Sequence, residues 1–114
     1  VDITFMTKNP KQISPATLKS IQKSALQATN LMKVLANENR LMLLCEIAQG
    51  EKCVSDLEGS TGIVQPTLSQ QLTVLRENKI VQTRREGKQI YYTVKSAAAL
   101  SVLNVLFEQF CKNK

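Results

Sequence analysis

Three thiols, Cys45, Cys53 and Cys111, are the most reactive side chains in this 114-residue sequence. A deprotonated thiol is both a nucleophile and a soft metal ligand. No histidine accompanies them, which removes the commonest general base at neutral pH and the commonest zinc ligand. The sequence also has no glycine-rich phosphate loop, nucleophile elbow or acidic metal loop. It is therefore expected to be no enzyme and to use no cofactor. A lone cysteine on an apolar helix face is usually a small hydrophobe, whereas an intracellular thiol pair is more often redox-active or metal-binding than a structural disulfide.

A second group of residues suits a polyanion. The chain carries fifteen Lys and Arg against nine Asp and Glu, a formal charge of +6. Between Arg76 and Lys95 lie six basic and two acidic residues, so this stretch holds +4 of that charge. Such a localised patch is the electrostatic footprint of a nucleic-acid binder. Just ahead of it runs a polar series, Gln65, Thr67, Ser69, Gln70 and Gln71, whose amides and hydroxyls can read base edges or hold phosphates. The same series also fits the solvent face of any surface helix.

The elements that must position these groups follow from periodicity. Apolar residues at three- and four-residue spacing predict a helix from Ala16 to Ala36. Asn37 then caps a second helix that carries Cys45 and stops at Gly50. A short helix over 54–60, a turn at Thr61-Gly62-Ile63 and a helix from Gln65 to Asn78 have the pattern of a helix-turn-helix. Pro66 falls in the first turn of the latter helix, where its missing N–H is tolerated. From Ile80 the period changes to two, and the strands on either side of Glu86-Gly87-Lys88 form a hairpin, or wing, bearing Arg84, Arg85, Lys88 and Gln89. Ser96 caps a last helix that ends near Cys111.

The fold class is thus mainly α with a small β-hairpin, a winged helix-turn-helix. Residues 1–15 are expected to form a flexible arm (Val1 to Phe5 reading equally as a cloning remnant) and residues 16–114 the DNA-binding and dimerisation domain. No apolar run is long enough for a membrane span and no export signal opens the chain, so a cytoplasmic location is expected.

Leu35-Ala36-Asn37-Glu38-Asn39-Arg40-Leu41, the run from Gln65 to Leu75, and Glu86-Gly87-Lys88-Gln89-Ile90-Tyr91-Tyr92 are three ordered motifs. Together they resemble the ArsR/SmtB family of winged-helix repressors. The resemblance implies a homodimer formed by the first and last helices, an inverted-repeat operator in double-stranded DNA, and an inducer that weakens DNA binding. Two positions depart from the pattern. Val64 stands where a capping Ser is common, which predicts a weaker cap, and Gln71 stands where His is common.

The family's usual metal sites are broken here. One uses a Cys-Val-Cys pair, of which Cys53 survives while Ser55 replaces the second thiol; a hydroxyl is a poor ligand for thiophilic metals. The other requires His. Cys45 and Cys111, in contrast, match the BigR/SqrR subgroup, whose cysteines in the second and last helices sense persulfides. That likeness implies that Cys45 and Cys111 are a thiol sensor for reactive sulfur species, with no metal site. The alternatives are a metal- or metalloid-responsive repressor using Cys53, and a winged-helix module for protein–protein contact.

Overall fold

A computed structural model describes residues 14–111. The expected arm therefore lies almost wholly outside the described residues, apart from Ser14 and Pro15, which begin the first helix. The helices are α1 (Pro15–Leu35), α2 (Glu38–Ala48), α3 (Val54–Thr61), α4 (Thr67–Glu77) and α5 (Ala97–Phe110). The strands are β1 (Lys52–Cys53), β2 (Val81–Glu86) and β3 (Gln89–Val94). By contact the chain separates into two units, one ending at Leu31 and the other beginning at Met32.

Within the first unit, Ser14 caps α1, its Oγ accepting from the Thr17 N–H at 3.1 Å. Pro15 occupies the first helical position, where its fixed φ suits a helix. Leu18 and Leu26 of this segment are exposed.

The second unit holds the core. Val34 and Leu35 from the end of α1, Leu43, Leu44 and Ile47 from α2, and Leu57 from α3 are buried. Leu68, Leu72 and Leu75 from α4, with Ala99 and Leu103 from α5, complete it on the helical side. These positions recur at the three- and four-residue spacing that places them on one face of each helix. Each Leu or Ile so buried contributes about 1.5–3 kcal/mol.

Local chemistry sets the boundaries. Asn37 Oδ1 accepts from the Arg40 N–H at 3.0 Å and starts α2, as expected. α2 ends at Ala48 with Gln49 as its C-cap, and Gly50 follows the cap directly, its N–H donating to Ile47 O at 3.1 Å, as expected. Gly62 closes α3 with a left-handed φ of 74° and donates to Glu58 O at 3.0 Å. Ser96 Oγ accepts from the Ala99 N–H at 3.0 Å and starts α5.

α4 ends in a Schellman motif, Ile80 N–H bonding Leu75 O and Lys79 N–H bonding Arg76 O, each at 3.0 Å. The left-handed residue this motif requires is Lys79, φ 59°, where glycine is the usual occupant. Lys79→Gly should relieve that backbone penalty and stabilise the protein by about 1 kcal/mol. A higher urea midpoint at unchanged m value is the expected result.

β2 and β3 form the expected hairpin, in register from Val81↔Val94 to Glu86↔Gln89. Gly87 takes the first position of its two-residue turn with φ 62°, as a primed turn requires. β1 adds a third antiparallel strand to the outer edge of β3, with Cys53 opposite Tyr91, giving the order β1-β3-β2. This strand has only two residues and carries no alternating pattern, so periodicity does not predict it.

Candidate functional site

α3, the Gly62 turn and α4 place the polar series on the outer side of α4, because Leu68, Leu72 and Leu75 occupy the inner side. Gln65, Ser69 and Gln70 are exposed, and Thr67 is half-buried. The helix proper begins at Thr67, two residues later than expected, with Pro66 at the N-cap and no cap from that side chain. Gln65 takes over that role: its Oε1 accepts from the Ser69 N–H at 3.1 Å and from Ser69 Oγ at 2.6 Å. The cap is therefore supplied despite Val64, and Gln65 and Ser69 present their polar atoms as one joined unit.

Gln71 is different. It is half-buried, and its Oε1 accepts from Arg40 Nη1 at 2.7 Å. Arg40 also donates through Nε to Val34 O at 2.5 Å and through Nη2 to Lys33 O at 3.3 Å. These carbonyls belong to the last turn of α1, where helices have no internal donors left to satisfy them. One guanidinium thus ties the end of α1 to α2 and α4. The departure from His at position 71 supplies its acceptor.

On the hairpin, Arg85, Lys88 and Gln89 are exposed, with Arg85 Nε donating to Gly87 O at 3.2 Å. Arg84 is surrounded by acceptors. Its Nε and Nη2 donate to the two carboxylate oxygens of Glu51 at 2.7 and 2.6 Å, and its Nη1 donates to Glu86 at 2.9 Å. Its guanidinium carbon lies 4.6 Å from the centre of the Tyr91 ring. The hydrogen bonds from Arg84 hold the Glu51 carboxyl below the usual carboxylate range, and those from Glu51 and Glu86 raise the Arg84 pKa further.

The thiols fall into two settings. Cys53 is buried, 6% exposed, and precedes α3. Its N–H donates to Asp56 Oδ2 at 3.2 Å, and its Sγ lies 3.2 Å from Ser55 Oγ. The hydrogen bonds from Cys53 hold the Asp56 carboxyl below its ordinary range. Cys53 is therefore part of the core and of a helix start. Among the described residues, no group of three or more Cys, His, Asp or Glu side chains forms a potential metal site.

Cys45 and Cys111 are both free thiols on exposed residues. They line one cavity of about 380 Å³ with Leu41, Leu103, Leu106, Phe107 and Phe110. α2 brings Cys45 to this cavity, and the end of α5 brings Cys111. Burial by the apolar lining pushes the Cys45 thiol up from its ordinary value, and Cys111 and Glu46 add to the shift by charge repulsion. Cys45 also borders a second cavity of about 580 Å³, lined by Ala36, Asn37, Glu38, Leu41, Met42, Glu46, Ser60 and Thr61.

Residues 37–83 match the profile of the bacterial regulatory proteins of the arsR family. A biofilm growth-associated repressor of Xylella fastidiosa (strain Temecula1) is 48% identical over 95 residues, covering 83% of each chain. The chain belongs to the ArsR family. The crystal structure of the transcriptional repressor BigR from Xylella fastidiosa superposes with a TM-score of 0.77 at 47% identity, covering 86% of this chain and 98% of that one. A homodimeric winged helix-turn-helix domain from Mycobacterium bovis, described as a possible ArsR-family regulator, gives a TM-score of 0.67 at 32% identity. It covers 77% of this chain and 83% of that one.

This ArsR-family chain is a winged helix-turn-helix protein in which α3 and α4 form the helix-turn-helix and β2–β3 the wing. Its relatives are transcriptional regulators, not enzymes. No described helix is long and apolar enough to cross a membrane.

Proposed function

We propose that this ArsR-family protein is a homodimeric cytoplasmic repressor that leaves its inverted-repeat operator when reactive sulfur species bridge Cys45 to Cys111. The observation that supports this reading is the shared apolar cavity, lined by one thiol from α2 and one from α5. Support for the repressor part comes from relatives described as repressors. Exposed apolar residues on α5, Phe107 at 54% and Phe110 at 69%, give a second copy something to cover.

The chemistry balances with a persulfide as oxidant. The Cys45 thiolate attacks the outer sulfur of R–S–SH, giving Cys45–S–SH and releasing the thiolate R–S⁻. The Cys111 thiolate then attacks the inner sulfur and expels HS⁻, leaving the Cys45–Cys111 disulfide. Two protein thiols are oxidised, and one persulfide is reduced to a thiol and hydrogen sulfide. A further persulfide equivalent taken up before closure gives a longer sulfur bridge. Either bridge ties α5 to α2 and displaces the paired recognition helices, whose fit needs both half-sites together.

On DNA, the exposed Gln65, Ser69 and Gln70 and the half-buried Thr67 read bases, while Arg85, Lys88 and Gln89 hold the backbone. Gln71 serves by fixing α4 through Arg40. Removing Arg85 or Lys88 as Ala should reduce the slope of log affinity against log salt by about one each. Gln70→Ala should leave that slope unchanged and reduce discrimination between operator and random duplex by about 1–3 kcal/mol. Anisotropy titrations over a salt series measure both quantities. DNA binding with no salt dependence would remove the operator reading. Peptide mapping after persulfide exposure tests the switch, and a bridge through Cys53 in place of Cys45 or Cys111 would remove that.

A further inference from the structure

Arg84 sits in the middle of the basic stretch, where its charge alone marks it for DNA. Its surroundings assign it elsewhere. Glu51, Tyr91 and Glu86 come from three places: just before β1, from β3 and from β2. Arg84 is directly opposite Tyr91 in the hairpin, and Cys53 is opposite Tyr91 from the other side. Residues two apart along a strand share a face, so Glu51 and Glu86 lie on the same side as Arg84. The guanidinium therefore crosses β3 over the Tyr91 ring and engages both oxygens of Glu51 at 2.6 and 2.7 Å, with Glu86 at 2.9 Å. A two-point carboxylate grip of this kind adds directional specificity that a lysine lacks.

We propose that Arg84 is a positioning residue that latches the wing to the β1 edge through Glu51, and that it makes no phosphate contact itself. The hairpin is narrow and exposed along nearly all of β2, so its tip is held largely by what crosses the sheet. Without the latch, the wing must be ordered when DNA binds, and part of the binding energy is lost to that ordering. Arg85 and Lys88 have no carboxylate partner among the described salt bridges and are left to meet the phosphates. The proposal rests on the DNA-binding reading and is independent of the thiol switch.

The two roles for Arg84 give opposite signs for Glu51→Gln, measured on the reduced 114-residue chain with operator and random duplexes. This change removes a negative charge near the wing and breaks the two-point grip on Arg84, leaving Glu86 as its carboxylate partner. If Arg84 is a latch, affinity falls by about threefold to tenfold and the salt slope stays the same. If it is a phosphate contact, affinity rises. Arg84→Ala should give the same loss as Glu51→Gln with the slope again unchanged, whereas a lost phosphate contact lowers the slope by about one. The exchange Glu51→Arg with Arg84→Glu should restore affinity to within about threefold of the parent. Thermal unfolding of each variant, read alongside, separates a loosened wing from a lost fold. A rise in affinity for Glu51→Gln, a lower slope for Arg84→Ala, or an exchange variant as weak as Arg84→Glu overturns the proposal.

Discussion

Cys111→Ser should bind operator DNA within about twofold of the parent and stay bound when an organic persulfide is added. The first half follows from exposure. Cys111 is an exposed C-cap residue at the end of α5, and surface substitutions of this kind are usually within about 0.5 kcal/mol of neutral. The second half follows from stoichiometry. Cys45 alone can accept a sulfur atom, but it has no resolving thiol in the cavity and forms no intramolecular bridge. Cys45→Ser should be equally unresponsive for the complementary reason, and Cys53→Ser should respond like the parent. A pH dependence accompanies this. The apolar lining and the neighbouring charges push the Cys45 thiol up, so little of it is thiolate at neutral pH. Below its pKa, the thiolate fraction rises about tenfold per pH unit, and the rate of sulfur uptake follows it through the alkaline range. Anisotropy of the DNA complex during persulfide addition, repeated across pH, reads both effects.

The second large effect belongs to Arg40. Arg40→Ala should destabilise the fold by about 3 kcal/mol, since hydrogen bonds to charged groups contribute about 1.5–3 kcal/mol each and the site is only half-buried. Three side-chain bonds disappear, to Val34 O, Lys33 O and Gln71 Oε1. The loss leaves the last carbonyls of α1 without their donor and α4 without its tie to α2. Operator affinity should fall with stability, by about tenfold or more, because a displaced recognition helix weakens contacts at both half-sites. Arg40→Lys should recover only part of this, since one ammonium cannot reach three acceptors in the geometry of a fork. Urea unfolding gives the stability change, and titration of the folded variant at low temperature gives the affinity change.

These two sites differ in how they are encoded. Helices with strong periodicity and the hairpin around Gly87 are legible because their determinants are local: a cap, a period, a left-handed glycine. β1 is not, since two residues carry no period. The Arg40–Gln71 contact joins residues 31 apart and the Arg84–Glu51 contact residues 33 apart, so neither leaves a local signature. A polar residue at position 71 reads equally well as a base contact in the sequence, and only the folded chain shows it half-buried and bonded to Arg40. Arg84 counts as one more positive charge in the sequence, and only the sheet order shows that Glu51 lies within its reach. The weak cap expected from Val64 overlooked that Gln65 can reach Ser69. Cys45 and Cys111 stand out as a pair in the sequence only through the resemblance, and packing of α5 on α2 is what sets them around a common cavity.

The central claim is that bridging these two thiols, and nothing else, releases DNA. The most direct measurement adds persulfide stepwise to the reduced, DNA-bound chain and reads anisotropy and intact mass on the same samples. The switch predicts that the fraction released equals the fraction bridged at every step, with hydrogen peroxide at the same concentration releasing less. Release while Cys45 and Cys111 are both still free, or complete bridging with the chain still on the duplex, would contradict it.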